Sequence, residues 1–286
     1  MPVIRASSHG ESRVRMLRIV RRGDRHDARD LMVSCRFEGA FTPAFEAGRT
    51  DGLPPGETLK RIIHAAVQKN GTAELETVGI LLCDQLLDRA RLITRVRVEL
   101  AEQPWSRIDA GGKAQGQSFA AASPERRTAI VTSNGTQVAV VAGLEDLTLM
   151  RTSGFGPRTV RDADDTGTSD GLQRVLVASL SARWTYTSAD VTFAPYRQGV
   201  RNAIIETFAW QEGRSVQHLL YAIADVVLAT YQEIADITLT LHERPYRPSD
   251  LFAEGVENRD ELFVAVDEPL GVVELTVDRE GAKGKE

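Results

Sequence analysis

Lys60 to Trp105 reads KRIIHAAVQKNGTAELETVGILLCDQLLDRARLITRVRVELAEQPW, and Arg201 to Tyr246 reads RNAIIETFAWQEGRSVQHLLYAIADVVLATYQEIADITLTLHERPY. Set one under the other at an offset of 141 residues, the two stretches run without a gap. Few positions are identical, yet the apolar pattern repeats: Ile63 with Ile204, Val67 with Phe208, Leu75 with Val216, Val78 with Leu219, Leu82 with Ile223, Val98 with Leu239 and Leu100 with Leu241. In the first copy, helical spacing over Thr58 to Lys69 and Ala73 to Arg89 is split by the breaker Asn70-Gly71, and Ile93 to Leu100 then alternates with period two. The pattern predicts helix, break, helix and strand, twice over, as two copies of one module.

Flanking strands complete each copy. Ser12 to Arg21 alternates charged and apolar residues, and Asp30 to Glu38 reads as its hairpin partner across the polar Gly23-Asp24-Arg25-His26-Asp27. Thr128 to Val141 contains a hairpin around Asn134-Gly135 and is expected to close the first copy, while Leu147 to Thr152 and Val175 to Thr187 open the second. Glu261 to Val266 and Gly271 to Val277 are expected to close it, with Asp267-Glu268-Pro269 as the turn. The expected fold is α+β, with two ββααββ domains over residues 1–143 and 144–286 and antiparallel sheets carrying helices on one face. Such open sheets leave edges that need covering, so a homo-oligomer is expected.

Composition narrows the function. The 286 residues are 42% apolar and 26% charged, ordinary globular values. Forty acidic against 35 basic side chains leave a net charge of −5, with no basic patch to collect phosphates, so no nucleic-acid partner is expected. Cys35 and Cys83 are too few for a disulfide framework or a multi-cysteine metal site, and a reducing compartment is expected. No apolar run reaches the ~18 residues of a membrane span, and the Arg-rich start lacks a signal peptide's hydrophobic stretch. The tail Gly284-Lys285-Glu286 is not a peroxisomal address, which makes the cytoplasm the expected location.

Standard catalytic patterns are absent: no phosphate-binding loop, dinucleotide fingerprint, nucleophile elbow or zinc-protease motif occurs. His9, His26, His64, His218 and His242 are scattered without metal-ligand spacing, so neither a metal nor a built-in cofactor is expected. Two polar positions stand out through the repeat. Glu76 matches Gln217, each near the start of the second helix and one residue after an apolar one (Leu75, Val216). An amide or carboxylate there can present two hydrogen-bonding atoms to a flat heterocycle, although a polar first-turn residue supporting the helix end is the more ordinary role. Arg174 precedes a largely apolar strand, where a guanidinium can clamp a planar anion or simply be solvated.

Several segments resemble urate oxidases (uricases): His9-Gly10-Glu11-Ser12-Arg13-Val14-Arg15, Gly23 to Asp27, Pro104-Trp105, Ser118-Phe119, Gly143-Leu144-Glu145-Asp146-Leu147, Arg161-Asp162, Ser215-Val216-Gln217-His218 and Gly255 to Arg279. Together they span nearly the whole chain in the family's order. The resemblance implies tandem tunnelling-fold domains, a homotetramer with active sites at subunit interfaces, and oxidation of urate by dioxygen without a cofactor. It also implies a purine-like ring clamped by Arg174 and Gln217 beside the backbone of Val216, and stacked on Phe155 or, if the local gap is placed differently, lying over Gly156.

The catalytic half of the pattern departs from the family. Glu11 stands in the place of its lysine, Gly56 and Glu57 in the places of its threonine and aspartate, Glu243 at its asparagine and Pro245 at its histidine. A carboxylate reverses the lysine's charge, glycine supplies no hydroxyl, and proline can neither accept nor donate a side-chain proton. Three glutamates would repel a urate monoanion unless a carboxyl is protonated or paired with Arg174. The expected function is therefore a uricase-like oxidase acting on urate or a related ring, with Glu11, Glu57 or Glu243 as general base. The alternatives are hydration or hydrolysis of a related ring, and a catalytically inactive binding or structural homologue.

Overall fold

The computed structural model describes residues 2–89, 92–152, 175–211, 215–259, 261–266 and 271–280. The chain divides into two compact units, Met1–Glu145 with Thr185–Pro195, and Asp146–Trp184 with Tyr196–Glu286.

In the first unit, β1 (Ser8–Arg22) and β2 (Arg25–Gly39) form a hairpin closed by Gly23-Asp24, tighter than the five-residue connection expected. Gly23 takes φ +60°, the left-handed region such a turn requires and glycine adopts without strain. Alternation decides which face of β2 is inside: Leu31, Val33, Cys35 and Phe37 are buried. A short helix, α1 (Thr42–Glu46), then leads to α2 (Gly56–Asn70) and α3 (Leu75–Arg89). Leu59, Ile62, Ile63, Ala66 and Val67 make one buried stripe on α2, and Leu75, Val78, Leu82 and Leu86 make another on α3, both at helical spacing. Next come β3 (Ile93–Gln103), a two-stranded ribbon of β4 (Trp105–Ala110) and β5 (Lys113–Ala121), then β6 (Arg126–Ser133) and β7 (Val138–Arg151). The strand order is β1-β2-β3-β6-β7, every neighbouring pair antiparallel.

The second unit repeats the plan. The later part of β7 is followed by β8 (Leu176–Tyr186), α4 (Phe193–Trp210), α5 (Val216–Thr230), β9 (Ile234–Glu243), a ribbon of β10 (Tyr246–Pro248) and β11 (Phe263–Ala265), and β12 (Val272–Asp278). Its strand order is β7-β8-β9-β12, the counterpart of β1-β2-β3-β6. Both units are α+β, with antiparallel pairing throughout the first and at β9–β12 and β10–β11 in the second, in agreement with the fold expected.

Two expectations need correcting. The second arm of the hairpin at Asn134-Gly135 and the strand expected from Leu147 are a single strand, β7. Alternation carries through Gly143 because one glycine without flanking turn residues does not stop a strand, and the irregularity is absorbed at Asp146, with φ +60°. Second, Phe263–Ala265 pairs with β10 rather than closing the main sheet, a task left to β12. The ribbon β10–β11 stands where β4–β5 stands in the first copy, between the third and fourth main strands. The turn Asp267-Glu268-Pro269 lies outside the described residues.

Candidate functional site

The first group of candidate residues gathers at the start of α2. On β1, Glu11 pairs with Cys35, while Val14 already pairs with Val33, so Ser12 and Arg13 together oppose Ser34. This is a β-bulge. Arg13 has φ +58°, unusual for a residue with a side chain, and its backbone N–H donates to Ser34 Oγ at 2.9 Å. Just before the bulge Gly10 is required, since a Cβ there would collide with the Cys35 carbonyl oxygen. The bulge shifts the register beside Glu11, whose carboxylate lies against Gly56, the first residue of α2. A Cβ on residue 56 would collide with Glu11 Oε1, so glycine makes the room that the carboxylate occupies.

No side chain caps this end of α2, whose N-cap is Pro55. Negative charge from Glu11 and from Glu57 in the first turn complements the electropositive helix end. Glu57 Oε1 accepts a hydrogen bond from Lys60 Nζ at 2.9 Å. That bond and the ammonium charge hold the Glu57 carboxyl below the usual carboxylate range, assisted by the charges of Arg61 and His64. The Lys60 ammonium is correspondingly stabilised, by Glu57 first and by Glu11 second. Behind Glu11, burial pushes the Cys35 thiol up, which keeps it protonated. The structure thus brings Glu11 and Glu57 to one turn of helix and adds Lys60, which sequence reasoning missed. Its signal was present as a lysine three residues after Glu57, a spacing common on any helix surface.

The second group lies at the start of α5. Ser215 is the N-cap, with extended backbone, and its Oγ accepts from His218 N–H at 3.1 Å. This cap orders the first turn, burying Val216 and leaving Gln217 exposed. His218 contacts Gln211 through Nε2 at 3.2 Å, so it is engaged within its own unit. The match of Gln217 in the first copy behaves differently: Glu76 is only 1% exposed. Glu243 ends β9, half-buried, and its backbone N–H donates to the Gly271 carbonyl at 2.8 Å. Phe155, Gly156 and Arg174 lie outside the described residues.

Two cavities of about 480 Å³ lie elsewhere. One is lined by Leu53, Thr58, Leu86 and Arg89 among others, and the second by Tyr221, Asp225 and Arg279 among others; none of the candidate residues lines either. Among the described residues, no three His, Cys, Asp or Glu side chains gather as a metal site, and no helix is long and apolar enough to cross a membrane.

Comparison with known proteins gives these positions a context. The family model for uricase matches residues 140–274. The chain is 28% identical to the uricase of Arthrobacter globiformis over 281 residues, covering 98% of this chain and 91% of that protein. It is 26% identical to the uricase of Danio rerio over 279 residues, covering 96% and 94%. The crystal structure of the Arthrobacter globiformis uricase superposes with a TM-score of 0.90 at 27% identity, covering 100% of this chain and 98% of that one. The urate oxidase of Bacillus sp. TB-90, at 18% identity and TM-score 0.80, shares the fold. Family model, near-full-length relatives and near-full-length structural likeness agree, and the chain is similar to uricases from end to end.

Proposed function

We propose that the protein is a cofactor-independent oxidase of urate or a closely related purine-derived ring, using dioxygen and working as a homotetramer. The observation that carries this reading is the 0.90 TM-score over the whole chain with the Arthrobacter globiformis uricase, at 27% identity. Arg174 and Gln217 clamp the ring edge, the Val216 backbone lies beside it, and Phe155 stacks on its face. The exposed Gln217 amide on an ordered first turn of α5 supports this role, because a pre-formed donor and acceptor pair loses little freedom on binding.

Glu11, Glu57 and Glu243 form the proton-transfer side. A carboxylate takes a ring N–H proton, and the electron-rich ring then passes two electrons to dioxygen. Water adds to the oxidised ring and hydrogen peroxide leaves, so that ring, dioxygen and water balance against hydroxylated ring and peroxide. Glu11 suits the base role because Gly56 leaves its carboxylate the space it fills. Sharing the site between subunits would bring the α2 end of one chain to the α5 end of another.

The test is oxygen uptake and peroxide release with urate and a panel of oxidised purines. Turnover of urate or a close relative is expected, and no uptake with any ring would overturn the reading. Arg174→Ala and Gln217→Ala are each expected to abolish ring binding in calorimetry. Unchanged affinity in both would remove the clamp.

A further inference from the structure

Two carboxylates at the first turn of α2 pose an electrostatic problem for any anionic ring, and the same turn carries a cation. Lys60 Nζ lies 2.9 Å from Glu57 Oε1. An exposed helical pair three residues apart is common and by itself contributes little. That ordinary role accounts for Glu57 but not for Glu11, which reaches the turn from a bulged strand and lies in the space where a side chain on residue 56 would begin. A surface pair needs no such space. Of the other charged groups around this turn, Arg61 and His64 bear on Glu57 from the same helix, and Cys35 behind Glu11 is a neutral thiol. Lys60 is held in its charged form by both carboxylates, by Glu57 first and by Glu11 second.

We propose that Lys60 is the positioning cation of the proton-transfer station, bringing the net charge of Glu11, Glu57 and Lys60 together to −1 so that an anionic ring can approach while one carboxylate stays free to take its proton. This deepens the oxidase reading and rests on its assignment of Glu11 and Glu57. The arrangement inverts the one the family resemblance implies: the carboxylate sits on the strand and the ammonium on the helix. In the proton step the ring N–H proton moves to a Glu11 oxygen, the N–H bond breaking as the O–H bond forms, and Lys60 keeps its own protons throughout. Its effect is electrostatic: it lowers the repulsion the ring meets on entry and holds Glu57 in the carboxylate form.

The experiment uses the full chain in its native assembly and has two readouts. With five lysines in the sequence, ¹³C-labelled lysine gives few Cε signals, and Lys60→Arg assigns the one of interest. Its titration midpoint is expected to fall in Glu57→Gln and again in Glu11→Gln, because each removes a charge that stabilises the ammonium. A midpoint that Glu11→Gln leaves unmoved overturns the pairing. In urate turnover, Lys60→Met is expected to raise KM severalfold and to move the acidic limb of kcat/KM to higher pH. Lys60→Arg is expected to restore both, which a merely structural loss would not allow. Unchanged KM and an unchanged limb in Lys60→Met overturn the role. If the native chain takes up no oxygen with any ring, the oxidase reading fails, and the lysine titration alone decides whether Lys60 serves both carboxylates.

Discussion

The two copies of the module agree wherever the backbone must be shaped and differ wherever chemistry or close packing is decided. In the first copy, Arg13 sits at φ +58° with its N–H on Ser34 Oγ; in the second, Asp146 sits at φ +60° with its N–H on Ser181 Oγ at 3.4 Å. Arg18 on β1 reaches the Gln68 carbonyl at the end of α2, and Arg151 on β7 reaches the Phe208 and Gln211 carbonyls at the end of α4. Even the largest buried side chains correspond, Phe37 on β2 with Trp184 on β8. Against this common frame, Glu11 is matched by the buried Leu144, Gly79 by Leu220, Cys83 by Ala224 and the buried Glu76 by the exposed Gln217. A duplicated scaffold keeps its bulges and helix-end contacts because both copies need them. Positions at which each copy packs or reacts in its own way have diverged.

The helix-to-sheet spacing is the strongest way to break this comparison. Gly79 lets α3 pack closely on β3 and β6, whereas its counterpart on α5, Leu220, is a fully buried large side chain. A Cβ at residue 79 would meet Val131 Cγ2 at 2.6 Å and Leu100 Cδ1 at 3.1 Å. Exchanging the residues is expected to harm both copies: Leu220→Gly by about 4 kcal/mol through a cavity and added backbone freedom, and Gly79→Leu by about 3 kcal/mol through overpacking. Urea unfolding measures each. A tolerated Gly79→Leu would mean that the spacing is not set there.

The buried thiol gives the next effect. Burial pushes Cys83 up to about 12, and its counterpart Ala224 cannot titrate. Above pH ~9 the unfolded chain releases this proton while the folded chain keeps it, so stability falls with rising pH by roughly 1.4 kcal/mol per unit until the folded thiol ionises. Cys83→Ala should flatten that alkaline slope, as followed by denaturant midpoints between pH 8 and 11. An unchanged slope would assign it to other groups.

Helix-end capping comes third. Arg151→Met removes donors from two carbonyls and is expected to cost about 1 kcal/mol; Arg18→Met, with one long contact at 3.4 Å, should cost less. The smallest effect belongs to the bulge serines. Ser34→Ala is expected to cost about 0.5–1 kcal/mol and Ser181→Ala less, following the shorter and longer hydrogen bonds. If Ser34→Ala also lowers ring turnover while Ser181→Ala does not, the first bulge aims Glu11 and the second is purely architectural.

Much of this frame was legible in the linear pattern, for a physical reason. Burial of one helix face or one sheet face imposes a period, and the periods of α2, α3, α5, β3 and β9 are written locally. A single offset nevertheless reached only part of the duplication. The connection from β7 to β8 is longer than the turn from β1 to β2, and the loop carrying α1 has no equal counterpart, so Gly10 aligns with Gly143 and Ser34 with Ser181 at spacings different from that of the helices. The continuity of β7 and the ribbon β10–β11 also escaped, because strand pairing is a choice among partners that alternation does not name. Of the candidate site, the types and places of Glu11, Glu57, Val216 and Gln217 could be read beforehand, whereas the role of Gly56 as the space for a carboxylate could not.

By itself the sequence determined a duplicated α+β module, its buried stripes and its likeness to uricases, since all three are properties of order along the chain. Only the tertiary structure decided which of the unusual residues meet. Glu11 reaches the first turn of α2 across some 45 positions of sequence, through a hairpin register, a bulge held by Ser34 and a helix docked with glycine at its first residue. None of these leaves a periodic trace, because each is a single contact between distant segments.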